Sequence, residues 1–411
     1  MKYIIAFLII LFASFTDIFL SQIGIIPVEP AYFLIPLFFV LCLLRYHLKE
    51  LTQVFKTHTF KLLFIFLLFS IIYTSFSSAP IDTIITEITL NIITILIYIF
   101  TVQFFRSENK KIIFAVFFIS FLILSSSIWY DLFFGLPKHT QALEDLVRKG
   151  GFGANPNRAA AGLKFLSLGA LYFLQRNNLK RNMFILVMVA SVFITFSRGG
   201  LVSILFIIIL GYTNNWDTKF NINFQKLMKN TFKMIMVLAS LYIGLLVFAD
   251  YIKEKFPIYA AGSAGERLDY LLGKGDSTTL SDDVGSGNGR GDLVIKFANE
   301  FMSHPLGQGT AYSSDIRIFP QNTHNFYLFI GVNYGFIVLI IYLIYLLYSL
   351  KLSFTSNNFF YFILVLLLLF EGIVSHYFLY IRAVIICIAF FDSVIIFKQK
   401  EDYQQNFIEK L

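Results

Sequence analysis

Charge is what this sequence has least of. Only 14% of its 411 residues are Asp, Glu, Lys or Arg, while 57% are hydrophobic. Soluble domains carry about a quarter charged residues, so a soluble globular class is excluded. Cysteine is nearly absent. Cys42 and Cys387 lie far apart inside apolar runs, which leaves no disulfide framework and no cysteine zinc site. A nucleotide-binding glycine loop, an HExxH metal motif and a nucleophile elbow are also missing. The Asp282-Asp283 pair sits in a Ser/Gly stretch and reads as a solvated acidic turn, so no metal ligands are assigned. No internal repeat is visible, which argues against a repeat-built secondary transporter.

What is present is a succession of long apolar runs. A helix needs about 20 apolar residues to cross the hydrocarbon of a bilayer. Runs of this kind place spans near 3–20, 31–44, 61–77, 83–104, 112–130, 158–174, 183–196, 199–213, 234–249, 325–349, 358–373 and 379–397. The first run is read as a helix and not as a signal peptide, because no small-residue cleavage site follows it. The expected fold is therefore all-α: a polytopic membrane protein of about twelve transmembrane helices.

The net charge of +8 gathers in short loops. One set of loops holds Arg45, Lys49 and Lys56, then Arg106, Lys110 and Lys111, then Arg176, Lys180 and Arg181, then Lys219 to Lys233, Lys351 and Lys398. The intervening Ser21–Pro30 and Ser77–Asp82 carry neither Lys nor Arg. This alternation is the orientation signal of a membrane protein and not a nucleic-acid surface. It puts both termini, including the tail 398–411, in the cytoplasm of a bacterial inner-membrane protein. Two long segments then fall on the periplasmic side: 131–157, and the larger 250–324 before the tenth span. Within the second, Leu293, Val294, Phe297 and Phe301 recur at helical spacing over Asp292–His304. They predict an amphipathic helix lying on the membrane or on the bundle, ended by Pro305 and Gly307.

Several charged or titratable residues stand where charge is costly. Arg198 occupies the tight turn Phe196-Ser-Arg-Gly-Gly200 between two apolar runs. It either reaches toward lipid head groups or grips an anion over an external cavity. Arg290 lies in Gly287-Asn-Gly-Arg-Gly-Asp292 before the amphipathic helix, as a solvated arginine or as a donor beside a helix N-terminus. His324, in Gln321-Asn-Thr-His-Asn-Phe326, is a general-base candidate where the long segment re-enters the membrane. The alternative is a polar cap, with Asn322 or Thr323 as the N-cap. Lys164 follows Arg158 by nearly two turns, so both can face one cavity, and Arg382 lies near the external end of the last span. Asp17, Glu87, Glu371 and His376 are further ionisable residues within apolar runs; helix-binding ion pairs are their commoner use.

Taken in order, Asn155-Pro-Asn157, Phe196-Ser-Arg-Gly-Gly200, Gly289-Arg-Gly-Asp-Leu293, Ser303-His-Pro-Leu-Gly-Gln-Gly309, Thr323-His-Asn-Phe-Tyr-Leu328 and Gly335 resemble the O-antigen ligase and O-antigen polymerase superfamily. The resemblance runs from about 155 to 350 and implies a helical bundle with a large periplasmic loop. It implies a glycosyltransferase that takes glycan from an undecaprenyl-pyrophosphate donor with inversion, without metal or cofactor. By resemblance Arg198, Arg290 and His324 are catalytic; Arg158, Lys164, Asn325 and Arg382, read from their positions in the sequence, are expected to bind the substrate. The acceptor is a second lipid-linked glycan in a polymerase, the expected activity, or the lipid A core in a ligase. A lipid-linked oligosaccharide flippase is the rival from another class. It would need charge along a through-going pathway, whereas these candidates gather at one face.

Overall fold

The computed structural model describes residues 1–23, 31–136, 149–221, 224–255, 269, 272–273, 290–319 and 321–397. Arg148, the Asp282-Asp283 pair, nearly all of 256–289 and the tail 398–411 lie outside them. The regular structure of the described residues is helical throughout. In chain order it comprises α1 Lys2–Ala13, α2 Thr16–Gln22, α3 Ala31–Arg45, α4 Leu48–Val54, α5 His58–Ile72, α6 Ile81–Ser107, α7 Lys110–Phe133 and α8 Pro156–Phe173. There follow α9 Asn178–Ile194, α10 Arg198–Thr213, α11 Phe224–Lys255, α12 Arg290–Ser303, α13 Phe326–Thr355, α14 Phe359–Val374 and α15 Arg382–Asp392.

Four helical stretches among the described residues are long and apolar enough to cross a membrane: His58–Phe76, Ile81–Ser107, Lys110–Phe133 and Phe326–Thr355. The pair α1 and α2 adds a fifth, bent by 63° at Ser14 and Phe15. Phe15 takes the left-handed conformation there, so the first apolar run is a broken element and not one straight span.

The core sits around α8 and α15. From Ala159 to Leu171 every α8 residue is buried, as is every α15 residue from Ala383 onward. A helix buried on all sides needs partners on all sides, and α8 packs on α7, α9, α10 and α15. Its Ala159-Ala-Ala-Gly162 run lets those neighbours approach closely. Two buried carboxylates within this apolar bundle are met by tyrosine hydroxyls. Asp392 accepts hydrogen bonds from Tyr98 at 2.7 Å and Tyr361 at 3.3 Å, and Glu87 accepts one from Tyr334.

The amphipathic helix lies on the bundle. Leu293 and Phe297 of α12 are buried against Val332 and Phe319, with Phe301 beside them, while Val294 faces outward at 40% exposure. The Pro-Leu-Gly-Gln-Gly309 stretch that follows braces α13 at a break. Gly335, at φ 75° and ψ −176°, interrupts that helix. The freed backbone pairs with the stretch: Gln308 N donates to Val332 O at 2.8 Å, Gly309 N to Asn333 O at 3.0 Å, and Phe336 N to Pro305 O at 2.8 Å. A Cβ on Gly335 would stand 2.4 Å from the Leu306 backbone. This motif allows close backbone contact, and it pairs backbone groups that the break in the helix would otherwise leave open.

Candidate active site

Four helix N-termini converge on one cavity of about 550 Å³. The first belongs to α8. Buried Asp131 holds the loop ahead of it, accepting from Gly151 N at 3.2 Å and Lys149 Nζ at 3.4 Å. Asn155 then caps α8, accepting from Asn157 N at 2.8 Å and Arg158 N at 3.3 Å, with Pro156 in the first helical position. That cap leaves Arg158 exposed on the first turn, lining the cavity. The second belongs to α10. Phe196 turns the chain at φ 50°, Ser197 Oγ accepts from Gly200 N at 3.2 Å, and Arg198 opens the helix, exposed to the same cavity.

The third is the start of α13. His324 takes a left-handed φ of 49°, a conformation histidine adopts more readily than most residues. It lines the cavity, while Asn325 Oδ1 accepts from Leu328 N at 3.0 Å. Asn325 is therefore the helix cap, where the alternative reading of this turn had named Asn322 or Thr323, and its amide oxygen serves α13. The fourth is α15, whose first residue Arg382 lines the cavity beside Ile381.

Arg382 and Lys164 each meet a carboxylate. Arg382 forms an ion pair with buried Asp17 from α2, with its guanidinium carbon 5.5 Å from the Phe12 ring. Lys164 pairs with Glu371 of α14, and its Nζ also donates to Ser203 Oγ of α10 at 3.2 Å. The side chains of Lys164 and Glu371 are 2% and 4% exposed. These are ties between helices, the commoner use of such charges, and Lys164 remains on the cavity floor. Glu371→Leu should destabilise the fold by roughly 3–5 kcal/mol, because it strands a buried ammonium. Adding Lys164→Met should recover most of the loss. Thermal unfolding in one detergent checks both, and failure of the double variant to recover would refute a purely paired role.

His376, in the connection after α14, stands next to His324. The ring centroids are 5.6 Å apart and the planes nearly perpendicular at 83°. Burial pushes the His376 imidazole down to about 3, helped by His324 and by the Arg158 charge. Tyr377 and Tyr380 complete that wall. Tyr377 shares a hydrogen bond with Ser314 at 2.5 Å, and Tyr380 donates to Asn91 at 3.2 Å.

Of the residues singled out in the sequence, His324, Arg198, Arg158, Lys164 and Arg382 share this cavity. Arg290 opens α12, and its side chain lies outside what the structure describes. His376 was read only as one ionisable residue among several. Its signal was the polar Ser375-His376 pair between two apolar runs.

The O-antigen ligase family model matches residues 183–343, from α9 into α13. Residues 183–343, less than half of the chain, are similar to an O-antigen ligase family domain. The domain carries Arg198, Arg290 and His324, while Arg158, Lys164, His376 and Arg382 come to its cavity from outside the match. A search of curated proteins found no match. The chain is thus helical in its described residues, has four or five elements long and apolar enough to cross a membrane, and is similar over 183–343 to the O-antigen ligase family.

Proposed function

We propose that the chain transfers a glycan from an undecaprenyl-pyrophosphate-linked donor to a hydroxyl of a second lipid-linked glycan. The observation that carries this reading is one cavity that joins Arg158 and Arg198 on helix first turns to His324 at the start of a third helix. Helix N-termini and guanidinium groups favour an anion such as pyrophosphate. In the reaction the acceptor oxygen attacks the anomeric carbon from the side opposite the leaving group, which inverts the configuration. The anomeric carbon–oxygen bond to phosphate breaks, and its electrons remain on the departing pyrophosphate. Arg198 and Arg158 stabilise that growing charge, with Arg290 assigned the same role by resemblance. His324 takes the proton from the acceptor hydroxyl. Fixed cations meet the electrostatic demand, so we assign no metal to the reaction.

The loop charges support a twelve-span inner-membrane topology with both termini cytoplasmic and the cavity periplasmic. A lipid A core acceptor, the ligase reading, uses the same donor chemistry. Purified protein supplied with donor and with each acceptor in turn separates the readings. Elongation of the lipid-linked glycan is expected. Glycosylation of lipid A core alone would assign a ligase, and donor movement across vesicles without any new bond would assign a transporter.

A further inference from the structure

His376 is part-buried and lines the cavity, yet its Nδ1 is fully buried and has no hydrogen-bond partner among the described residues. A buried N–H without a partner costs more than a buried lone pair beside apolar groups, so Nδ1 is the unprotonated nitrogen. The proton of the neutral ring then sits on Nε2. A second proton on Nδ1 would place a cation in a desolvated spot that already faces Arg158 and His324. Glu371, five residues earlier on α14, is engaged by Lys164 and supplies no compensation. The ring therefore stays neutral across the working range of pH.

We propose that His376 is a substrate-binding residue: its neutral Nε2–H donates a hydrogen bond to a phosphoryl oxygen of the lipid-linked donor, beside Arg158. This rests on the pyrophosphate reading above and extends it to a group that the family match does not cover. An uncharged imidazole differs from the arginines in kind. It gives one directed donor without binding the product pyrophosphate as a full ion pair, which favours release after transfer. It also leaves His324 as the one imidazole of the pair that moves a proton.

The two amides that mimic imidazole nitrogens test this directly. The amide nitrogen of glutamine falls near the position of Nε2, and that of asparagine near Nδ1. The probe is inorganic pyrophosphate, titrated calorimetrically into the purified full chain, with kcat and KM for donor measured in parallel. Loss of one hydrogen bond to a charged oxygen is expected to weaken binding roughly 10–100-fold. His376→Asn and His376→Phe should show that loss, and His376→Gln should bind within a few-fold of wild type. The acid limb of the kcat profile should stay in place in His376→Gln, because the residue does not titrate there. Thermal stability supplies a further readout. A depressed folded-state value means that stability is full above the unfolded value of about 6.5 and declines as pH falls toward 3. His376→Gln should flatten that decline. Wild-type affinity in His376→Phe, or rescue by asparagine and not glutamine, overturns the proposal and leaves the pyrophosphate site intact. A wild-type protein that binds no pyrophosphate overturns both.

Discussion

His324→Gln lowers glycan turnover by about two to four decades while donor affinity stays close to wild type. The expectation follows from what glutamine retains and what it loses. It still forms hydrogen bonds at the cavity wall, but it cannot accept the proton of the attacking hydroxyl. A sugar hydroxyl is a poor nucleophile at neutral pH, so the deficit should appear in kcat and not in KM. The capping role does not confuse the result, because Asn325 caps α13 and His324 does not. His324→Gly is a useful companion, since glycine adopts the left-handed conformation without strain. It should fold at least as well as wild type and remain inactive. Near-normal turnover in His324→Gln, with stability unchanged, would make the histidine structural. Asp315 would be a poor replacement base, as the Arg317 guanidinium holds its carboxyl below the usual carboxylate range.

Arg198→Ala lowers transfer by about two to three decades, which corresponds to roughly 3–4 kcal/mol of lost transition-state stabilisation. Arg198→Lys should recover only part of it, since an ammonium lacks the planar fork that matches two phosphoryl oxygens. Protein abundance should hardly change, because the α10 cap depends on Ser197 and the close packing on Gly200, whose Cβ position lies 2.8 Å from Ala160 Cβ. Arg158→Ala should behave in the same direction. Full activity in Arg198→Ala would remove the arginine from the pyrophosphate site.

Much of the site was legible because polar residues are rare in this chain and each stands out. Arg198, His324 and Arg158 were visible as charge or imidazole at the ends of apolar runs, and they meet in one cavity. The pairings were not legible. Nothing local in the sequence links Lys164 to Glu371 or Arg382 to Asp17, since the partners are 207 and 365 residues apart. Hydropathy also reports only that a run is apolar, so it missed the bend between α1 and α2 and the break at Gly335. The first depends on a left-handed Phe15, and the second on backbone bonds to the Pro305–Gly309 stretch. The amphipathic pattern of α12 was correct in period and left its partner open. Packing against Val332 of α13 decided that question.

The most direct test follows the fate of the pyrophosphate. Purified protein in lipid nanodiscs, given an undecaprenyl-pyrophosphate oligosaccharide and a lipid-linked acceptor in the presence of a chelator, should form one inverted glycosidic bond for each undecaprenyl pyrophosphate released. His324→Gln and Arg198→Ala should slow both products together. Release of pyrophosphate lipid without a glycosidic bond, retention of the anomeric configuration, or no turnover by wild type with either acceptor would contradict glycan transfer at this cavity.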